Sequence, residues 1–217
     1  MDESLSRREA MVNGQIRPNK VVDERITAAL LAVPREPFLP GPLRGVAYLD
    51  EDIAVGEGRY LMEPVAFARL LQAAEIGADD VVLDIGCASG YSSAVIARLA
   101  SAVVALEAAP ELGARANEIL AELEIDNIAV VEGPLEAGYA EQGPYDVIFI
   151  GGAIERLPEA LPEQLAEGGR LVVVERRGGI GRAMRYGKHD GLVSGLELFD
   201  AQVALLPGFE ARPAFVF

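Results

Sequence analysis

Residues 81–93 read VVLDIGCASGYSS, and the fold turns on how that run is parsed. VVLDIG (81–86) is β-branched and apolar with a single acid, which predicts a strand. YSSAVIARLA (91–100) predicts a helix, and the residues between them form a turn with a glycine at each end, Gly86 and Gly90. Working outward, AVVALE (102–107) predicts a second strand, followed by a helix over PELGARANEILAEL from Pro110. IAVVEG (128–133), YDVIFIGG (145–152) and RLVVVE (170–175) predict three more strands. PEALPEQLAEGG turns back between the last two, with Gly168 and Gly169 expected to end its helix. Strands that are apolar throughout are buried on both faces, as in a parallel sheet covered by helices. The alternation predicts a doubly wound α/β domain.

Beyond residue 176 the helical period is lost. AMRYGKHDGLVSGLELFDAQVALL carries a Gly-Lys-His-Asp-Gly turn between extended runs, which predicts an antiparallel hairpin on one sheet edge. PAFVF at the C-terminus is read as a last short strand. The first eighty residues hold a polar helix near the start, then DERITAALLAVP (23–34) and the proline-punctuated PREPFLPGP. They are expected to form a cap, residues 1–80, on the α/β unit of residues 81–217, the whole folding as one compact body.

Composition narrows the function. Net charge is −15, a field that repels polyanions and argues against nucleic acid as a partner. No run approaches the ~20 apolar residues of a membrane span. The start, MDESLSRREA, lacks an apolar signal region, and a single cysteine, Cys87, fits a reducing compartment, so a cytoplasmic location is expected. Arg176, Arg177, Arg182, Arg185, Lys188 and His189 run without an intervening acid and are read as one solvated hairpin face.

Three nucleotide cradles compete for the glycine turn. A P-loop requires Gly-Lys-Ser/Thr, and no lysine follows Gly90. The dinucleotide fingerprint requires a glycine where Ala88 stands, so a pyrophosphate ligand is disfavoured. What remains suits a phosphate-free ligand with a cationic end: Asp84 closes the strand, and Gly86, Cys87, Ala88, Ser89 and Gly90 make a turn of small residues. Glu107, followed by Ala108, ends the second strand about 20 residues on, where a carboxylate accepts ribose hydroxyls. Glu132 and Gly133 follow the third strand, where an adenine edge would lie, and Gly151 ends the fourth. The ligand that fits is S-adenosyl-L-methionine.

The sequence also resembles a family, the protein-L-isoaspartate O-methyltransferases. VPREPFLP (33–40), AYLDEDIAVGEGRYLMEPVAFARLL (47–71), LDIGCASGYSSAVIARL (83–99), GPYDVIFIGGA (143–153) and LPEQLAEGGRLVVV (161–174) carry the likeness, over about residues 10–175. The resemblance implies the class I methyltransferase fold, a Rossmann-like sheet of about seven strands ending in an antiparallel hairpin. It further implies methyl transfer from S-adenosylmethionine to the side carboxylate of an isoaspartyl residue in a peptide or protein, the first step of repair through a succinimide. The family's Thr-Ile-Ser-x-Pro stretch, whose serine assists at the active site, corresponds to Tyr60-Leu61-Met62-Glu63-Pro64. Tyr60, Met62 and Glu63 are therefore the candidate catalytic positions, with no hydroxyl at residue 62 and an added carboxylate at residue 63.

A carboxylate nucleophile needs no general base, in keeping with a chain whose one histidine, His189, lies outside these motifs. One histidine and one cysteine do not make a usual zinc site, and no metal is expected. No G-x-S-x-G elbow suggests a hydrolase. Two alternatives stay open at this point: a relative that methylates another peptide or a small molecule, and a cofactor-binding protein without catalysis.

Overall fold

The computed structural model describes residues 3–211, so the PAFVF run lies outside the described residues. The chain opens with helices α1 (Glu3–Met11) and α2 (Glu24–Ala32), a two-stranded antiparallel hairpin of β1 (Ile53–Gly56) and β2 (Arg59–Leu61), and helix α3 (Pro64–Ala74). Asp23 caps α2 by accepting the Arg25 amide, and Pro64 starts α3 where its missing N–H costs nothing. Then come β3 (Val81–Ile85), α4 (Tyr91–Ile96), β4 (Ala102–Glu107), α5 (Pro110–Glu122), β5 (Ile128–Glu132) and β6 (Tyr145–Ile154). A short α6 (Ala160–Glu163) precedes β7 (Leu165–Arg177), β8 (Ile180–His189) and β9 (Leu192–Asp200).

Strands β3 to β9 form one seven-stranded sheet in the order β5-β4-β3-β6-β7-β8-β9. The first five are parallel, and β8 and β9 add antiparallel, through two-residue connections at Gly178-Gly179 and Asp190-Gly191. All four connecting residues have positive φ, the conformation that matches the twist of the flanking strands. Along each parallel strand successive residues go to opposite faces. Val82, Val103, Val147, Phe149 and Val172 join the core under α1–α5, while Leu83, Ile85, Val104, Leu106, Ile148 and Leu171 join a second core on the other face. This double burial is what the uninterrupted apolar strands predict.

The chain runs from β3 outward through β4 to β5, then returns across β3 to lay β6 on its other side. The crevice outside the carboxyl ends of β3 and β6 is therefore the switch point where open α/β sheets bind ligands. An aromatic chain ties the N-terminal segment to that point. Phe38 meets Tyr91 edge-on at 5.5 Å, Tyr91 meets Phe67 at 5.6 Å, and Phe67 meets Phe149 at 5.6 Å. Such pairs contribute about 0.5–1.5 kcal/mol each beyond burial.

Two expectations are corrected. The helix before the fifth parallel strand ends at Glu163, not at Gly168-Gly169, which lie inside β7. Leu165 pairs with Tyr145 and Arg170 with Val147, so five steps on β7 face two on β6, and the glycines absorb that bulge. A Cβ on Gly169 would stand 2.8 Å from the Ala166 carbonyl oxygen and 3.0 Å from that of Tyr145. The helix read over residues 91–100 stops at Ile96.

The basic run lies on β7 and β8, and most of its charges meet acids of the same molecule. Arg176 pairs with Glu155, Arg177 with Glu175, Arg182 with Glu197 and Asp200, and Arg185 with Glu75. Lys188 donates to the carbonyls of Glu163 and Leu165. Among the described residues no helix is long and apolar enough to cross a membrane.

Candidate active site

The turn after β3 is shaped by three positive φ angles, at Gly86 (79°), Ala88 (50°) and Gly90 (95°). Ala88 thus holds, as a non-glycine, the left-handed conformation that a second glycine would adopt freely. Its amide is aimed by that conformation at Glu107, whose Oε2 accepts it at 2.7 Å. Gly90 lets α4 approach α5, since a Cβ there would lie 3.1 Å from that of Ala116. The Ser89 hydroxyl donates to the Phe38 carbonyl at 2.7 Å, fastening the turn to the N-terminal segment.

Asp84, at the end of β3, is fully buried. Its Oδ2 accepts the Ser92 and Ser93 hydroxyls, both at 2.6 Å, while Oδ1 has no hydrogen-bond partner. Burial pushes its pKa up to about 6, the Ser92 and Ser93 hydroxyls oppose this, nearby Glu107 adds to it, and Arg59 pulls it down. A buried carboxylate oxygen without a donor favours a cationic neighbour. The Cys87 thiol is buried beside these acids and held far above its ordinary pKa by that burial, which keeps it from thiolate chemistry.

Glu107, at the end of β4, is 1% exposed and heavily bonded. Oε1 accepts the amides of Ala108 (3.0 Å) and Ala109 (3.2 Å), and Oε2 accepts that of Ala88. The Arg59 Nε lies 3.3 Å from each oxygen, and its Nη2 donates to the Gly86 carbonyl at 2.6 Å. Arg59 comes from β2, whose residues alternate inward, outward, inward: Arg59 and Leu61 buried, Tyr60 42% exposed.

Three clefts open at these strand ends. One is lined by Tyr60, Leu61, Met62, Phe67, Gly86, Cys87, Ala88, Tyr91, Ser92, Phe149 and Gly151. A second shares Tyr60, Met62 and Gly151 with it and adds Asp52, Arg59, Gly152 and the 203–206 segment. A third lies over α5 and β5, with Glu107, Ala109, Pro110, Asn117, Val131 and Glu132 in its wall. Gly151 is a glycine because a Cβ would stand 3.0 Å from the Gly86 carbonyl oxygen.

The wall that carries Met62 is held by one buried charge and one half-buried charge. Arg35, wholly buried, donates to the Ala47 carbonyl at 2.6 Å and to the Met62 carbonyl at 2.9 Å. Asp52 accepts the Glu63 amide at 2.8 Å and the Ala204 amide at 2.6 Å, and burial raises its pKa. Among the described residues the Glu63 carboxyl accepts no hydrogen bond. Its pKa is pushed up to about 7, first by burial and then by Asp50 and Asp52.

Of the residues read from the sequence, the structure brings Tyr60, Met62, Gly86, Cys87, Ala88 and Gly151 to the two inner clefts and Glu107 and Glu132 to the outer one. Asp84, Ser89, Gly90, Ala108, Gly133 and Glu63 stand behind or beside these walls. Ala108 and Gly133 act through the backbone, Gly133 by donating to the Glu107 carbonyl at 3.2 Å. Arg59, Asp52 and the 203–206 segment are new. A buried arginine in a three-residue strand has no periodic signal, and Asp52 sits in an acidic run that resembles solvated surface.

The orphaned Asp84 oxygen, the glycine-lined approach to Gly86 and the carboxylate at the end of β4 fit a phosphate-free nucleoside with a cationic end.

Comparison with known proteins gives a consistent answer. Residues 6–202 match the family described as protein-L-isoaspartate(D-aspartate) O-methyltransferase. A protein-L-isoaspartate O-methyltransferase of Methanoculleus marisnigri is 41% identical over 171 residues, covering 79% of this chain and 78% of its own. One from Koribacter versatilis is 38% identical over 166 residues, covering 76% and 75%. Among solved structures, a protein-L-isoaspartate O-methyltransferase superposes with a TM-score of 0.81 at 28% identity, over 93% of this chain and 66% of that longer one. A Plasmodium falciparum structure assigned to the same family, solved with S-adenosyl-L-homocysteine, shares the fold at 21% identity, with a TM-score of 0.79 over 95% of this chain and 99% of that one.

Proposed function

We infer the reaction from one premise: this chain belongs to the protein-L-isoaspartate(D-aspartate) O-methyltransferase family. It has the class I methyltransferase fold and is an S-adenosylmethionine-dependent methyltransferase of the protein-repair type. Its acceptor is the side carboxylate of an isoaspartyl residue in a peptide or protein, and a reducing, cytoplasmic compartment suits its single buried cysteine. The observation that carries the site assignment is the pairing of Glu107 with the Gly86 turn at the topological switch point.

S-adenosylmethionine, when bound, supplies a methyl group on a sulfonium, and transfer to a carboxylate joins opposite charges into neutral products. The chain's own part is to hold, align and dry the reactants. Proximity of this kind supplies about 7–11 kcal/mol of a barrier at best. Asp84 places negative charge behind the turn, and Glu107 and Glu132 fix the nucleoside side. Tyr60 and Met62 line the clefts on the side where the acceptor enters, and Met62, 7% exposed, excludes water there without donating a hydrogen bond. No histidine is needed for an ionised acceptor, and His189 is the last residue of β8, its side chain 88% exposed.

A second acceptor has one observation in its favour: the cleft lined by Met62 is also lined by Asp52, a carboxylate that opposes an anionic acceptor. Transfer of labelled methyl from S-adenosylmethionine to an isoaspartyl peptide, against its aspartyl isomer, decides the matter. Base-labile label on the isoaspartyl peptide alone is expected. Equal, background labelling of both at high enzyme concentration would remove the isoaspartyl acceptor. Turnover of another carboxylate in the same assay would then establish the second one.

A further inference from the structure

The reading of the cofactor site leaves one buried charge unexplained. Arg59 is 3% exposed, although it belongs to a hairpin whose loop, Gly56-Glu57-Gly58, has positive φ at all three residues. Two-stranded hairpins are marginal on their own. Ile53, Val55 and Leu61 seat this one in the main core, and Arg59 adds its polar tie to the sheet. The guanidinium reaches across the turn after β3, donating to the Gly86 carbonyl and lying equidistant from both oxygens of Glu107.

Those positions are the ones a nucleoside would take. A carboxylate offers about four lone-pair sites. Glu107 receives the amides of Ala108 and Ala109 on one oxygen, and the Ala88 amide with the Arg59 Nε on the other. The three amides are fixed by the strand end and the turn, so the Arg59 side chain is the one donor that a ribose hydroxyl can displace. The space is taken as well: a methyl group built on Gly86 would lie 2.5 Å from the Arg59 Nη2. Gly86 lines the inner cleft and Glu107 the outer one, so the guanidinium bonds to a wall of each and stands where a ligand spanning both must pass.

We propose that Arg59 is an internal competitor of the nucleoside cofactor: in the free protein its guanidinium closes the cradle, and the cofactor binds by lifting the β1–β2 hairpin and taking over Glu107 and the Gly86 carbonyl. The proposal rests on the cofactor reading above. Its electrostatics are an exchange of cations. Withdrawing Arg59 alone leaves Glu107 and Asp84 buried without a positive partner, which is costly. A ligand with its own positive charge replaces what it removes. Opening and binding are thereby coupled, and the apparent affinity is reduced by the fraction of molecules that are open.

The test compares wild type with Arg59→Gln, Arg59→Met and Arg59→Lys by titration calorimetry with S-adenosylhomocysteine and S-adenosylmethionine. Circular dichroism verifies that each variant folds, and either neutral variant suffices. Neutral variants are expected to bind at least fivefold tighter than wild type, with the lysine variant between them. In wild type, hydrogen exchange at residues 56–61 is expected to speed up on saturation with ligand, as the hairpin lifts. An arginine that merely braces Glu107 gives the reverse pattern, weaker binding in both neutral variants and slower exchange in wild type, and either result overturns the proposal. Equal affinity in all four proteins overturns it while leaving the cofactor reading intact. Absence of binding in all four removes both.

Discussion

Glu107 and Glu63 are both carboxylates near the site, and they are built on opposite principles. Glu107 is surrounded by donors: three backbone amides and a guanidinium reach its two oxygens. Glu63 sits half-buried with no donor to its carboxyl and with Asp50 and Asp52 nearby, so its pKa is lifted to about 7. The first is a carboxylate ringed by donors; the second is one the fold tolerates best uncharged. The sheet end is thus organised to hold a ligand, whereas the wall carrying residues 50–64 retains electrostatic strain of its own.

The sharpest way to break this contrast is Glu107→Ala. It strands three buried amides and a buried guanidinium, and a loss of about 3–5 kcal/mol is expected in chemical denaturation, as for other broken buried pairs. A loss under about 1 kcal/mol would mean that the donors find water, and that the Glu107 environment is not the closed one described.

Glu63→Gln should act with the opposite sign. The folded protein holds the Glu63 proton up to about pH 7, whereas the ordinary pKa of a glutamate is 4.5. Stability is therefore lost as pH rises through that window and is level above it. The glutamine variant should be more stable than wild type at pH 8 and no different at pH 4. After solvent screening the gain is about 1 kcal/mol, or roughly 2–4 °C in Tm for a chain of this size. A lower Tm at pH 8 would place a hidden donor beside Glu63 and dissolve the contrast.

The smallest effect belongs to Ala88→Gly. Relief of the left-handed alanine gains about 1–2 kcal/mol, and the added freedom of the unfolded chain takes back about 0.4–1. A net gain of about 0–1.6 kcal/mol, centred just below 1, is expected as a small rise in the denaturant midpoint. A clear loss would show that the methyl of this buried residue packs more usefully than its backbone strains.

The sheet was legible because four strands buried on both faces, and an edge strand β5 of the same apolar make-up, leave unbroken apolar runs, and the 102–107 strand was bounded in sequence as it is in space. The edge hairpin was legible from its Asp-Gly turn. Gly168 and Gly169 misled because a glycine pair marks a helix end and a strand bulge equally well, and only the partner strand tells them apart. In the site, glycines and acids at strand ends were readable since their spacing follows from the βαβ unit itself. Arg59 was not, because its role depends on a carboxylate 48 positions away. Ser89 and Gly90 were assigned to a ligand, yet they join the turn to the Phe38 carbonyl and to α5. A tight turn between two packed layers needs small residues for reasons unrelated to any ligand.

Asp52 carries a further implication. One side chain grips the amides of Glu63 and Ala204, residues from distant parts of the chain, and the 203–206 segment that it secures roofs the cleft beside Met62. On the proposed reading of the site, the 203–206 segment is consequently part of the entrance for the methyl acceptor. In a lineage where the catalytic sheet is shared, exchange of that tail offers a route to a new clientele without disturbing the machinery beneath.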